Sequence, residues 1–334
     1  MDDIITLDYG SGGQKTSELI DSLLLPAFEN EALNALGDGA VLSSNEKIVF
    51  STDSFVVSPW KFPGGNIGKL CVCGTVNDIS MSGGIPKYLS LSFIIEEGFP
   101  VESLKEIIRS ISTEAKNAGV IIATGDTKVV ERGKGDGIYI NTSGIGFLKK
   151  ELKGKEAIRE GDKVIVSGSV GCHGAAVMLS RTGLADNGAL MSDCACLNEL
   201  ANAVLNSGEV RIMRDPTRGG LATTLNEFTE DNPSEICIEL DEPLIPVDAP
   251  VLAACDMLGL DPLYCACEGR LVAVVSSGSE EAVLSALRNT KGGEDAACIG
   301  TVTKSRPGKV LLKTGLGGTR ILQKLSGMQL PRIC

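Results

Sequence analysis

The sequence predicts a two-domain α/β (α+β) protein, and three observations lead there. Its 334 residues exceed the usual size of one hydrophobic core, so two domains of about 150 to 180 residues are expected. Val, Ile, Leu and Ala are plentiful while aromatics make up 4%, and 40 glycines imply many tight turns. β-Branched runs bounded by Gly, Pro or acidic residues alternate with stretches of helical period, an order that builds sheets covered by helices.

In chain order, "KIVFSTDSFVV", "KYLSLSFIIEEG", "GVIIATGDTKVV" and "GIYINTSGIGFL" read as strands. A helix is expected within "IGKLCVCGTVNDISMSG". In "ESLKEIIRSISTEAKNAG" a second helix carries Leu104, Ile107, Ile108, Ile111 and Ala115 on one stripe and stops at Gly119. The polar stretch "KKELKGKEAIREGD" then suggests a boundary near 150–160, giving an N-terminal domain over 1–155 and a C-terminal domain over 156–322. In the second half "HGAAVMLSRTG", "LNELANAVLNSG", "GGLATTLNEFTE" and "EEAVLSALRNT" have helical period, and "EICIEL", "GRLVAVVS" and "ACIGTVT" read as strands. Residues 323–334, ending in "GMQLPRIC", read as a loose tail.

The formal charge of −12 argues against a nucleic-acid or anionic-membrane surface. Apolar runs all fall short of about 18 residues and "MDDIITLDYG" is acidic rather than signal-like, so a cytoplasmic protein is expected. Eleven cysteines include three Cys-x-Cys pairs (Cys71/Cys73, Cys194/Cys196, Cys265/Cys267) and no Cys-x-x-Cys. Buried thiols in a reducing compartment account for such a set as readily as a metal site does. His173 is the one histidine, which excludes a multi-histidine metal centre.

Two features carry candidate chemistry. The start "YGSGGQKTS" resembles a phosphate loop but has Gln14 where Walker A needs Gly; its backbone amides either cover phosphates or form a flexible start. Asp38, Asp53, Asp78 and Asp126 each end an apolar run, where α/β proteins deliver side chains into a ligand crevice. Converging carboxylates suit a hard cation such as Mg²⁺ on nucleotide phosphates, although each aspartate alone also suits a turn or a helix cap. The chain then ends on a thiol, Cys334, at a terminus that gains little from burial.

The stretches "YGSGGQ", "GDGAVL", "STDSFVVSPWKFPGGNIG", "GTVNDISMSGGIP", "TGDTKVV", "RDPTRGGLATTLNE", "DPLYCACEGRLVAVV" and the terminal "PRIC" run essentially from residue 5 to 334. Together they resemble the aminoimidazole-ribonucleotide-synthetase (PurM-like) superfamily of ATP-dependent enzymes, and more closely its HypE-type hydrogenase maturation family. That resemblance implies a two-domain PurM-like fold whose N-terminal domain forms a shared β-barrel in a homodimer. It also implies a reaction: the terminal thiol accepts a carbamoyl group from the carbamoyltransferase HypF, and ATP drives dehydration to a thiocyanate. The cyanide then goes to iron on a HypC–HypD scaffold.

The resemblance further implies residue roles. Asp38, Asp53, Asp78 and Asp126 hold Mg²⁺ and ATP, with Asn77, Gly125 and Thr127 beside the nucleotide. Lys128 contacts phosphates or the substrate carbonyl, Glu268 is the general base, and Cys334 is the acceptor. Asp215, Thr217 or Arg218 faces the nucleotide or caps a helix. Gly327 offers a hinge and Pro331 stiffens a tail that spans about 26 Å when extended. Two departures from the family pattern are Cys172 where an Asp is usual and Cys267 where an Asn is usual. The rival expectations are another PurM-like enzyme, such as a selenophosphate synthetase or a small-molecule kinase, and a metal-carrying chaperone that uses its cysteines without catalysis.

Overall fold

The structure, a computed structural model, describes residues 3–6, 18–30, 45–183, 188–325, 330 and 332–334. Asp38, the glycines of "YGSGGQ", Gly327 and Pro331 lie outside them.

The first half builds a sheet of order β1-β6-β4-β5 from β1 (Ile48–Phe55), β4 (Gly84–Glu96), β5 (Ile121–Val130) and β6 (Ile138–Leu148). Only β4 and β5 run parallel, because an 18-residue helix connects them. A short ladder of β2 (Lys61–Phe62) and β3 (Gly65–Asn66) leads into α1 (Ile67–Met81). Asn66 caps α1 by accepting from the Lys69 N–H at 3.0 Å. Helix α2 (Val101–Ala118) buries the expected stripe of Leu104, Ile107, Ile108, Ile111 and Ala115, and ends on Gly119 at φ +70°.

Helix α1 is a layer between the sheet and α2, and that position explains its composition. Only Lys69 and Asp78 are partly open, so the apolar character runs all round it. Gly68 makes this possible: a Cβ there would lie 2.4 Å from the Ile107 carbonyl oxygen. Gly74 does the same over the Phe55 ring, next to Asp53.

The second half forms a seven-stranded sheet, order β13-β12-β9-β11-β7-β10-β8. Its strands are β7 (Lys163–Val166), β8 (Val210–Arg214), β9 (Cys237–Asp241), β10 (Val272–Val275), β11 (Ala297–Thr303), β12 (Val310–Lys313) and β13 (Thr319–Leu322). Successive residues of β7 and β10 serve opposite faces, as a pleat requires. Val164, Val166, Val272 and Val274 pack with Leu221, Leu225 and Phe228 of α5 (Gly220–Thr229). Ile165, Ala273 and Val275 pack with α4 (Asn198–Ser207) and α7 (Glu280–Arg288). Helices α3 (Cys172–Thr182) and α6 (Ala249–Leu258) close a smaller cluster at one end.

The sequence reading placed the first-half strands and most helices; it did not name β8, β12 or helix α6, and the chain end differs from it. Helix α6, with Pro250 in its first turn, reads in sequence as an apolar run without clear period. The end of the chain, expected to be loose, lies hydrogen-bonded along residues 56–58, and its Ile333 belongs to the N-terminal core.

Candidate functional site

The site lies where the two halves meet, and the tail is part of it. The Val56 N–H donates to the Cys334 carbonyl at 3.0 Å and the Ser58 N–H to the Arg332 carbonyl at 3.3 Å, an antiparallel step of two residues. His173, kept neutral by burial, donates from Nε2 to the Ile333 carbonyl at 2.8 Å and accepts at Nδ1 from the Ser192 hydroxyl. Arg181 donates to the Arg332 carbonyl at 2.7 Å. The Arg332 side chain returns to the Val56 carbonyl, pairs with Asp136 and lies over the Tyr139 ring. Arg332 turns the chain at φ +49°, a left-handed conformation that these contacts hold in place.

This clamp delivers the Cys334 sulfur into a cluster of acids. Asp53 faces inward from β1, and Asp78 stands near the end of α1, where Ser51 donates to it at 2.7 Å. Asp215 follows β8, and Glu268 precedes β10. Burial pushes these groups up: Asp78 lies above its ordinary range by burial alone, Asp53 by burial and then by Asp78, and Asp215 reaches about 7 by burial and then by Asp78 and Asp53. Glu268 is 2% exposed and held well above the ordinary glutamate value by burial, by the Cys194 sulfur and by Asp215, Asp193 and Asp53. Its Oε1 has no hydrogen-bond partner among the described residues. The Cys334 thiol is pushed up to about 12 by burial and by Glu268, with Arg218 acting against them.

Carboxylate oxygens are the donors that a hard dication prefers. Asp53, Asp78 and Asp215 offer that donor type, although the three carboxylates do not close to within 4.8 Å of one another. Asp215, named in sequence only as a residue that faces a nucleotide or caps a helix, is the most buried of the three.

The other sequence candidates fall elsewhere. Asp126 and Lys128 pair with each other at 2.7 Å on an exposed face. Their register neighbours Ser92 and Ile94 point away from α1, so within one chain Asp126 is separated by the sheet from Asp53 and Asp78. Gly125 and Thr127 stand opposite Leu91 and Phe93 on the inward side; a Cβ on Gly125 would meet the Leu91 carbonyl at 2.7 Å. Asn77 is fully buried, donating to the Ala195 and Glu268 carbonyls and accepting from the Leu197 N–H, so its amide joins the two halves. Of the two departures, Cys267 accepts the Gly171 N–H at its sulfur, 3.1 Å away, and Cys172 lies beside Asp193 with its thiol pushed up to about 11. Sequence reasoning missed the tail-holding role of His173 and the presence of Asp193, whose Oδ1 accepts from the Glu268 N–H and whose Oδ2 is buried without a partner among the described residues. Neither stands in a recognisable spacing.

Asp215 gives a pH test of this electrostatic account. Its native pKa is raised, so its ionisation costs folding stability progressively between the ordinary value near 4 and about 7. Asp215→Asn should raise the melting temperature of the metal-free protein more at pH 8 than at pH 5. An equal gain at both pH values would contradict the assignment.

The chain matches the AIR synthase related protein N-terminal domain over residues 36–148 and the corresponding C-terminal domain over residues 159–313. It is 48% identical to the carbamoyl dehydratase HypE of Rhizobium leguminosarum bv. viciae, across 99% of this chain and 95% of that protein. A crystal structure of a hydrogenase maturation protein HypE in complex with ATP superposes with a TM-score of 0.94 at 45% identity, covering 98% of this chain and 99% of that one. HypE from a HypE–HypF complex gives 0.79 at 44% identity, covering 92% and 99%. No helix among the described residues is long and apolar enough to cross a membrane. The chain belongs to the AIR synthase related family and, within it, to the HypE carbamoyl dehydratases of hydrogenase maturation.

Proposed function

We propose that the chain dehydrates a carbamoyl group carried on its own Cys334, using ATP. The observation that carries this reading is the half-buried sulfur of Cys334 held near Glu268, whose Oε1 has no hydrogen-bond partner among the described residues. The thiocarboxamide oxygen is a poor leaving group until phosphorylated. Its transfer to the γ-phosphoryl group, with loss of both amide protons, turns S–C(=O)NH₂ into S–C≡N and leaves ADP, phosphate and one net proton. Glu268 takes an amide proton; burial holds its carboxyl well above the ordinary glutamate value, which strengthens it as a base whenever it is ionised. Asp53, Asp78 and Asp215 hold Mg²⁺, which supplies neutralisation of phosphate charge.

The Cys334 thiol, pushed up to about 12, is protonated in the docked position and therefore a weak nucleophile there. A thiol in water ionises near 8.5, so loading belongs to an undocked tail and dehydration to a docked one. The loading partner is a HypF carbamoyltransferase, and a HypC–HypD scaffold takes the cyanide. The protein works as a homodimer that covers the outer face of the first sheet, where Ile48, Phe50, Ile85 and Ile94 are 54%, 66%, 51% and 46% exposed. Asp126 and Lys128 lie on that face and serve a nucleotide site across the dimer contact.

Three measurements test this reading. After incubation with HypF, carbamoyl phosphate and ATP, the mass of the C-terminal peptide should show a carbamoyl group that loses one water. Glu268→Gln should retain the carbamoyl group without losing water, and Cys334→Ala should carry neither mark; a mark on Cys172 or Cys267 instead would overturn the reading. Asp78→Asn should weaken Mg²⁺-dependent ATP binding at least tenfold, about 1.4 kcal/mol, in calorimetric titration. Light scattering at micromolar concentration should give twice the 34.9 kDa chain mass, and a monomer would remove the dimer from the proposal.

A further inference from the structure

A second cluster of titratable side chains lies outside the acid site, and the reaction makes no use of it. Cys73 of α1, Glu114 of α2 and Cys196 of the extended segment before α4 place their ligand atoms within 4.8 Å of one another. The Cys73 and Cys196 sulfurs are 3.6 Å apart. We propose that Cys73, Cys196 and Glu114 form a binding site for a thiolate-preferring divalent cation of the Zn²⁺ type, with solvent as the remaining ligand. This site rests on none of the chemistry assigned to Cys334.

The geometry decides between a cation and other uses of these thiols. Donors arranged tetrahedrally at about 2.3 Å from Zn²⁺ put neighbouring sulfurs about 3.8 Å apart, close to the 3.6 Å separation seen here. A disulfide needs a sulfur separation of about 2.05 Å, so bonding this pair requires movement and an oxidant. A purely apolar core offers no reason for a carboxylate, yet Glu114 brings one to the sulfurs. Entry is available: Cys73 is fully buried, whereas Cys196 and Glu114 are half-buried. Binding exchanges thiol protons for metal–sulfur bonds, so the protons leave to solvent.

The site would also have a mechanical effect. Cys196 belongs to the strand-like segment whose Ala195 N–H donates to the Glu268 carbonyl at 3.2 Å and whose Asp193 accepts from the Glu268 N–H. Tying Cys196 to α1 fixes that segment, and with it the backbone of Glu268, to the N-terminal half.

The test uses the reduced full-length protein, stripped with a chelator and kept anaerobic. Titration with Zn²⁺ should leave one ion per chain after desalting, and Co²⁺ should give thiolate charge-transfer absorption together with the visible bands of a tetrahedral ion. Cys196→Ser and Glu114→Gln should each weaken Zn²⁺ binding at least tenfold. Cys255→Ser, which removes one of the other close thiol pair at 3.8 Å, should leave it unchanged. If Cys196→Ser fails to fold, Glu114→Gln decides alone, because it keeps the volume of a half-buried side chain. The proposal is overturned by no retained Zn²⁺, by undiminished binding in Glu114→Gln, by loss of binding in Cys255→Ser, or by a metal-free Cys73–Cys196 disulfide in protein isolated anaerobically.

Discussion

The capture of the chain end by backbone carbonyls is the constraint on which the site depends. Three successive carbonyls, of Arg332, Ile333 and Cys334, are each held by a donor from a different part of the fold: Ser58 and Arg181, His173, and Val56. None of these bonds reads a side chain of the tail, so they fix where the sulfur lies without engaging the sulfur itself. The energetics suit a reversible dock. Burying Ile333 contributes about 2 kcal/mol and each net hydrogen bond about 1 kcal/mol. Ordering three residues costs about 1–2 kcal/mol each in backbone entropy, and the left-handed turn at Arg332 costs about 1 kcal/mol more. Only a few kcal/mol remain to hold the tail, small enough for a partner surface to compete for it.

The same dock sets the electrostatics. Carrying the sulfur into the junction places it beside Glu268 and near Asp53, and every carboxylate there raises the proton affinity of its neighbours. A neutral thiocarboxamide suffers none of this, whereas a thiolate does. The pocket thus disfavours a thiolate, while a protonated thiol or another neutral group on the sulfur meets no such penalty. Asp215 is raised by burial and by Asp78 and Asp53, and Glu268, desolvated altogether, is raised further by the Cys194 sulfur and by Asp215, Asp193 and Asp53.

Much of the fold was legible because its signals are local. The stripe of α2 and the β-branched runs of β1, β4, β5 and β6 depend on period and turn chemistry, which a single chain displays. The tail thiol and Glu268 were legible through the motifs "PRIC" and "ACEG" and through the resemblance those motifs carry. Other parts were not, for physical reasons. The face on which Asp126 lies depends on register across three strands, and a one-residue shift would reverse it. The roles of His173 and Asn77 depend on contacts more than 100 residues away, with Ile333 in one case and with Ala195 and Glu268 in the other. The docked tail is a competition between burial and entropy, and only the tertiary structure supplies the burial.

The Cys-x-Cys pairs show how the same spacing means different things on different elements. On helix α1, residues two apart point about 200° away from each other, so Cys71 and Cys73 cannot converge on one ion. The Cys71 thiol turns back to the Gly68 carbonyl at 3.2 Å, and only Cys73 meets the opposite segment. Cys194 and Cys196 lie on the irregular segment before α4, and Cys196 comes to 3.6 Å from Cys73. Cys265 and Cys267 divide again, one against Cys255 and the other accepting the Gly171 N–H. Spacing in sequence therefore predicts a ligand set only once the element that carries it is known. Here the four sulfurs of the first two pairs reduce to two that converge, Cys73 and Cys196, and the helix that turns Cys71 away from them is the one that also positions Asp78.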